Sequence, residues 1–192
     1  MTNNRWSPYT IFKSAVPVDM CNNIINAHCY KEYTLGGILT GQGDSGSVKH
    51  DLRNVHIQGT DLEWLNAMLI GYTRLAYSVY FDYDLTDHDI ERLQFSKYDK
   101  GMYFQTHMDY DVSRATPAIT RKLSVTVQLS DPSSYTGGEL IIENCDGSSF
   151  TCPKDQGTVI VFDSRWLHRV QPVKSGTRYS LVKWVHGDKP LR

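Results

Sequence analysis

Cysteine is scarce in this chain. The four residues Cys21, Cys29, Cys145 and Cys152 form no Cys-x-x-Cys pair and are too few for a disulfide framework, so buried or free thiols in a reducing compartment are expected. Long apolar runs are absent too: none approaches the ~20 residues that a bilayer-spanning helix needs. The opening Met-Thr-Asn-Asn-Arg-Trp-Ser-Pro lacks the apolar core of a secretion signal, which makes a cytoplasmic location the expectation and leaves no membrane partner. A net charge of −1 gives no general attraction for nucleic acid, leaving only a local basic groove as a route to such a partner. Internal repeats, low-complexity tracts and linkers are also missing. What remains, 192 residues of which 40% are hydrophobic and 21% charged, suits one globular domain with a proper core.

The first 90 residues read as a helical cap with supporting strands. Trp6 to Val16 mixes aromatic and β-branched residues and can begin a sheet. Asp19 is placed to cap a short helix through about Tyr30, on which Met20, Ile24, Ile25, Ala27 and His28 form an apolar stripe. His28 reads as a packed helix residue. Gly36 to Gly46 is rich in glycine and therefore costly to hold in one conformation; an ordinary surface loop or, with Arg53, a substrate lid are its two readings. Thr60 followed by Glu63 has the capping-box pattern, and from Asp61 to about Phe81 the apolar residues recur at threes and fours, predicting a long amphipathic helix. Asp82 to Asp89 is a solvated connection whose oxygen-ligand spacing does not suit calcium.

From residue 91 to 187 the character changes. Strands are predicted at Leu93–Tyr98, Met102–His107, Arg121–Leu129, Gly138–Glu143, Ser149–Cys152, Thr158–Phe162, His168–Val173 and Arg178–Val185, with Gly137-Gly138, Asp146-Gly147 and the stretch 153–157 supplying turns. Eight short strands without intervening helices suggest an antiparallel jelly roll. The expected fold class is α+β: a double-stranded β-helix core with N-terminal packing helices.

Within the strands, Tyr98 to Asp109 carries the chemistry. His107 and Asp109 are two apart at a strand end and share a face. His-x-Asp alone arises by chance in many chains, but a jelly roll can bring the start of the seventh strand, His168, beside them. Two imidazoles and one carboxylate on one face form the site suited to non-haem iron(II), with zinc the runner-up metal. His50, His56, His88 and His186 lack this context and read as surface or packing residues. On the last strand, alternation points Arg178, Ser180, Val182 and Trp184 to one face, oddly polar for a core. A guanidinium there needs an anion, either a protein acid or the distal carboxylate of a bound 2-oxo acid, with Tyr98 and Ser180 donating further hydrogen bonds. Trp166 and Trp184 read first as packing residues and second as pocket walls.

Taken together, Tyr98-x-x-Gly101, His107-x-Asp109, Arg121-Lys-Leu-Ser124, Leu129-Ser-Asp-Pro-Ser-Ser-Tyr-Thr-Gly-Gly-Glu-Leu140, His168-x-Val170 and Arg178-x-Ser180 resemble the iron(II)- and 2-oxoglutarate-dependent dioxygenases. Within these they are most similar to the bacterial and phage hydroxylases related to prolyl 4-hydroxylase, the PKHD type. The resemblance covers about residues 93 to 186. It implies His107, Asp109 and His168 as metal ligands, Arg178 as anchor of 2-oxoglutarate, and Tyr98 as a second contact to it. Gly137-Gly138-Glu139-Leu140 would be structural, its glycines allowing close backbone approach. Fe(II), 2-oxoglutarate and O2 are the implied cofactors, with ascorbate as an accessory. The implied reaction hydroxylates an unactivated C–H bond, of proline in a peptide or protein or of a free amino acid. Three rivals are a nucleic-acid base dioxygenase, which would want basic and aromatic strand-binding surfaces; a non-catalytic jelly-roll binding module, which has no need of an intact triad; and a zinc hydrolase, which has no use for a buried arginine ten residues past a ligand. Sequence alone leaves the oligomeric state and the hydroxylated substrate open.

Overall fold

The computed structural model describes residues 9–36, 52–80, 85, 91–110, 120–144 and 146–187. In chain order these form β1 (Tyr9–Phe12), α1 (Val18–His28), β2 (Thr34–Leu35), β3 (Arg53–Asn54), β4 (His56–Thr60), α2 (Glu63–Tyr80), β5 (Leu93–Tyr98) and β6 (Tyr103–His107). There follow β7 (Thr120–Gln128), β8 (Thr136–Gly137), β9 (Leu140–Glu143), β10 (Ser149–Thr151), β11 (Val159–Asp163), β12 (His168–Val170), β13 (Val173–Ser175) and β14 (Arg178–Gly187). Every pairing among them is antiparallel. A seven-stranded sheet runs β1-β11-β7-β14-β5-β4-β2, a five-stranded sheet runs β10-β9-β12-β6-β3, and β13 pairs with β8. Strands from the first 90 residues thus extend both larger sheets. Among the described residues no helix is long and apolar enough to cross a membrane.

Alternation along the central strands explains two separate apolar clusters. In β11, Val159 and Val161 join the helix-side cluster with Leu65, Leu69 and Ala76, while Ile160 and Phe162 join a second cluster with Leu140, Ile142 and Val170. A strand buried on both faces needs such a continuous apolar run. In β7 the helix side receives Leu123, Val125 and Val127, yet the opposite positions are Ser124, Thr126 and Gln128, all buried. The same holds in β14, where Leu181 packs in the helix-side cluster and Arg178 and Ser180 are buried opposite. At β7 and β14 the large sheet therefore keeps one apolar face and one polar inner face.

Both helices begin differently from their sequence signals. Asp19 does not cap α1: Pro17 occupies that position with extended backbone (φ −55°, ψ 144°) and no side-chain cap, its carbonyl accepting from the Cys21 amide at 3.0 Å. The helix also ends at His28, two residues short of Tyr30. His28 packs as expected, its Nδ1 donating to the Ile24 carbonyl at 2.8 Å and its ring stacked on Phe95 at 4.8 Å. Thr60 is the last residue of β4, opposite Leu93, so its backbone is committed to the sheet and cannot cap α2; Leu62 takes over, accepting from the Leu65 and Asn66 amides. Sheet pairing here overrides a local capping signal. The predicted strand 138–143 is shortened to β9, with the separate β8 lying just before it, and 168–173 is split into β12 and β13 around Gln171 and Pro172, where proline has no amide to donate.

Gly157 fastens the lead into α1 onto the sheet. Its φ of +79° is a left-handed conformation, and its carbonyl accepts from the Val16 amide at 2.9 Å. A methyl group here would overlap the Val16 carbonyl oxygen. Gly157→Ala should therefore cost at least about 2 kcal/mol, from strain plus displacement of Val16. Urea denaturation checks this, and a change within about 0.5 kcal/mol of the parent chain would show that Val16 moves freely.

Candidate active site

Three potential ligands meet where the small sheet faces the large one. His107 closes β6 and His168 opens β12, and the register places them opposite each other, with ring centroids 4.2 Å apart. Asp109 follows two residues after His107 and turns its carboxylate between the rings, 3.7 Å from His107 Nε2 and 3.5 Å from His168 Nε2. The ligand atoms of the three lie within 4.8 Å of one another, a grouping that could hold a metal ion.

Each imidazole is oriented by its own strand. His107 Nδ1 lies 2.7 Å from the Gln105 carbonyl and His168 Nδ1 lies 3.0 Å from the Trp166 carbonyl. A carbonyl only accepts, so both Nδ1 atoms carry a proton and both Nε2 atoms face Asp109. Phe104 stacks on His107 at 3.5 Å and Phe162 meets His168 edge-on at 4.8 Å. Burial is the main reason that the His107 pKa falls to about 3, and the neighbouring His168 adds to it. His107 is thus neutral at ordinary pH and available as a ligand.

Asp109 stays ionised although burial pushes its carboxyl upward. The flanking imidazoles, the Arg121 guanidinium and a hydrogen bond from Ser124 together hold it well below the usual carboxylate range. Ser124 Oγ donates to Asp109 Oδ2 at 2.7 Å and lies 2.9 Å from Ser164 Oγ. These serines come from β7 and the turn after β11, so the large sheet supports a ligand delivered by the small one.

The cleft around the triad encloses about 430 Å³, mouth included. Tyr98, Arg178, Ser180, Val182 and Trp184 all line it, as alternation along the last strand requires. Arg178 is 1% exposed. Its Nη2 donates to Gln128 Oε1 at 2.9 Å and its Nη1 to Ser180 Oγ at 3.3 Å, its Cζ lies 5.2 Å from the Tyr98 ring centroid, and its Nε has no hydrogen-bond partner. Trp166 instead packs between the sheets. Of the other histidines, His186 is buried against Glu91 and His56 lies 3.6 Å from Asp99; His50, His88, residues 37–46 of the proposed lid and all but residue 85 of the acidic connection lie outside the described residues.

Sequence reasoning linked Arg53 only to a substrate lid and gave Arg121 and Glu91 no role at the site. Arg53 enters the cleft from β3 with its Cζ 4.6 Å from the Phe104 ring, and Gln94 accepts from it at 3.2 Å. Arg121 lies over Trp184 with Cζ 3.8 Å from the ring, and reaches to 3.8 Å from Asp109 Oδ1. Glu91 accepts from Arg121 at both carboxylate oxygens and from His186 Nε2 at 3.0 Å. The legible signal for this support was the polar alternation of Ser124, Thr126 and Gln128 on an otherwise apolar strand.

The chain is similar to known proteins. The family model described as the 2OG-Fe(II) oxygenase superfamily matches residues 93–186. A PKHD-type hydroxylase of Crocosphaera subtropica is 32% identical over 154 residues, covering 79% of this chain and 68% of that relative. Among solved structures, a Pseudomonas putida prolyl-4-hydroxylase superposes with a TM-score of 0.72 at 19% identity, covering 95% of this chain and 94% of the other. A Trichoplax adhaerens prolyl hydroxylase, solved with a hypoxia inducible factor peptide fragment, gives a TM-score of 0.74 at 15% identity over 93% and 83% of the two chains. At such identities the structural likeness speaks for the fold.

Glu91 provides a pH test of the support network. Burial alone would raise its carboxyl, but hydrogen bonds from His186 and Arg121 bring it from 4.5 down to about 2. The folded value lies below the unfolded one, so this stabilisation is complete above about pH 4.5 and fades as pH falls through about 2. Urea unfolding of wild type and Glu91→Gln between pH 6 and pH 2.5 should show a gap on the order of 2 to 3 kcal/mol that narrows with acid. A gap independent of pH would mean that the carboxylate charge contributes nothing to folding.

Proposed function

The chain belongs to the 2OG-Fe(II) oxygenase superfamily, and on that premise we propose that it is a PKHD-type hydroxylase in which His107, Asp109 and His168 hold one iron(II). Arg178 then receives the distal carboxylate of 2-oxoglutarate, helped by Tyr98 and Ser180. We read the two facing sheets as the double-stranded β-helix of this family, carried by one domain. The donor set fits the metal: two imidazoles whose Nε2 atoms turn inward and one ionised carboxylate are the ligands that suit iron(II) and leave positions open.

One observation carries the reading of the co-substrate. Arg178 is buried in the same cleft as the triad, yet its hydrogen-bond partners, Gln128, Ser180 and the Tyr135 phenol, are neutral, and Nε is left without any. A guanidinium out of water is costly unless an anion meets it, and a planar fork suits a carboxylate. When bound, iron(II) with 2-oxoglutarate and dioxygen supplies the oxidising chemistry: 2-oxoglutarate becomes succinate and carbon dioxide, one oxygen atom enters the succinate, and the other enters a substrate C–H bond. The residues of this chain orient and shield. Carbonyls of Gln105 and Trp166 fix the imidazoles, Ser124 fixes the carboxylate, and Phe104, Phe162, Leu140 and Val170 line the cleft with apolar surface that keeps water from the reacting centre. A prolyl residue in a peptide is the substrate class we infer, supported by the prolyl hydroxylases among the structural neighbours.

Succinate release with iron(II), 2-oxoglutarate and proline-containing peptides, set beside free amino acids and oligonucleotides, tests the function. Asp109→Ala should abolish turnover and iron uptake. Arg178→Ala should raise the 2-oxoglutarate requirement by about 100-fold or more while iron binding persists, because a buried anion partner is lost. Arg178→Lys should recover part of the loss, restoring charge without the fork. If Arg178 were structural, both variants would lower the melting temperature and keep the parental 2-oxoglutarate dependence.

A further inference from the structure

Arg121 stands between two carboxylates. It holds Glu91 at two points, Nε to Oε1 at 2.7 Å and Nη2 to Oε2, while its Nη1 stays 3.8 Å from Asp109 Oδ1, beyond hydrogen-bond range. The guanidinium lies flat over Trp184, 3.8 Å from ring to Cζ. Glu91 is itself fixed, by His186 Nε2 on Oε1 at 3.0 Å and by Lys183 Nζ on its backbone carbonyl at 2.9 Å. The arrangement depends on a register shift: Val185 pairs with Leu123 but His186 pairs with Arg121, so Lys122 is an extra residue in β7. By strict alternation from Ser124, Lys122 would face the cleft and Arg121 would turn away. The extra residue returns Arg121 to the face of Trp184 and His186.

An isolated cation in this place would have one strong option. Arg121 is largely buried, and among the described residues the carboxylate within its reach besides Glu91 is that of Asp109. A bidentate pair with Arg121 would occupy oxygens that a metal needs. We propose that Glu91 is a positioning residue that holds Arg121 back from Asp109 and so keeps this carboxylate free to bind the metal. The role rests on the reading of His107, Asp109 and His168 as metal ligands. Glu91 acts at one remove, through Arg121, and needs no contact with metal or substrate.

Titration of the metal-free chain with iron(II) under anaerobic conditions, and with Mn(II) followed by electron paramagnetic resonance, tests this without turnover. Glu91→Gln should weaken metal binding by about tenfold or more, the effect usual for partners that orient a ligand. Arg121→Gln should bind at least as well as the wild type, and Glu91→Gln added to Arg121→Gln should change affinity little, because nothing is left to restrain. Glu91→Asp, which keeps the charge, should retain most of the affinity and serves as the reporter if Glu91→Gln does not fold. Wild-type affinity in Glu91→Gln, or an undiminished loss in the Arg121→Gln background, overturns the role of Glu91 and leaves the metal site standing. Failure of the wild type to bind either ion, or unchanged binding in Asp109→Ala, overturns both.

Discussion

A carboxylate kept ionised away from water is the constraint that shapes the interior of this protein. Asp109 is buried, and a lone charge in such a place costs several kcal/mol unless neighbours compensate it. Here the compensation comes from both sheets: imidazoles of β6 and β12 on one side, Ser124 and Arg121 of β7 on the other. The space between the sheets therefore cannot be filled like an ordinary core. Much of the fully buried apolar packing lies on the other side of the large sheet, where Leu65, Leu69 and Ala76 of α2 meet Leu123, Val125, Val127 and Leu181. One sheet thus serves two ends, holding helices with one face and polar chemistry with the other.

Three arginines enter this polar side and are satisfied in different ways. Arg121 has Glu91, a full carboxylate partner, and an aromatic ring beneath it. Arg53 lies against Phe104 and donates to the amide oxygen of Gln94. Arg178 has an amide, a hydroxyl, the Tyr135 phenol and an orphaned Nε. Arg178, whose partners are neutral, is where an anionic small molecule gains most by binding. Burial of Tyr98 beside Arg178 raises its phenol pKa, so it remains a neutral donor there.

Much of this was legible in the sequence because period-two alternation is a strong signal. Placing Arg178, Ser180, Val182 and Trp184 on one face required only counting, and the structure sets all four along the cleft. His107-x-Asp109 was legible for the same reason. Element starts were less so: the Thr60 and Glu63 pattern satisfied a local rule, yet Thr60 was claimed by Leu93 across the sheet, a partner over thirty residues away. Glu91 was invisible because its meaning depends on His186 and Arg121, which reach it only after β5, β7 and β14 have paired. Long-range register, unlike side-chain periodicity, is not written locally.

The extra residue at Lys122 makes the length of β7 matter as much as its composition. Deleting Arg121 would restore plain alternation with Lys122 toward Trp184, whereas deleting Lys122 would restore it with Arg121 still on that face, and neither change touches a proposed metal ligand. A gap at 121 in an alignment would thus mark proteins that set an ammonium in place of a planar guanidinium beside Trp184, while a gap at 122 would leave the guanidinium where it is.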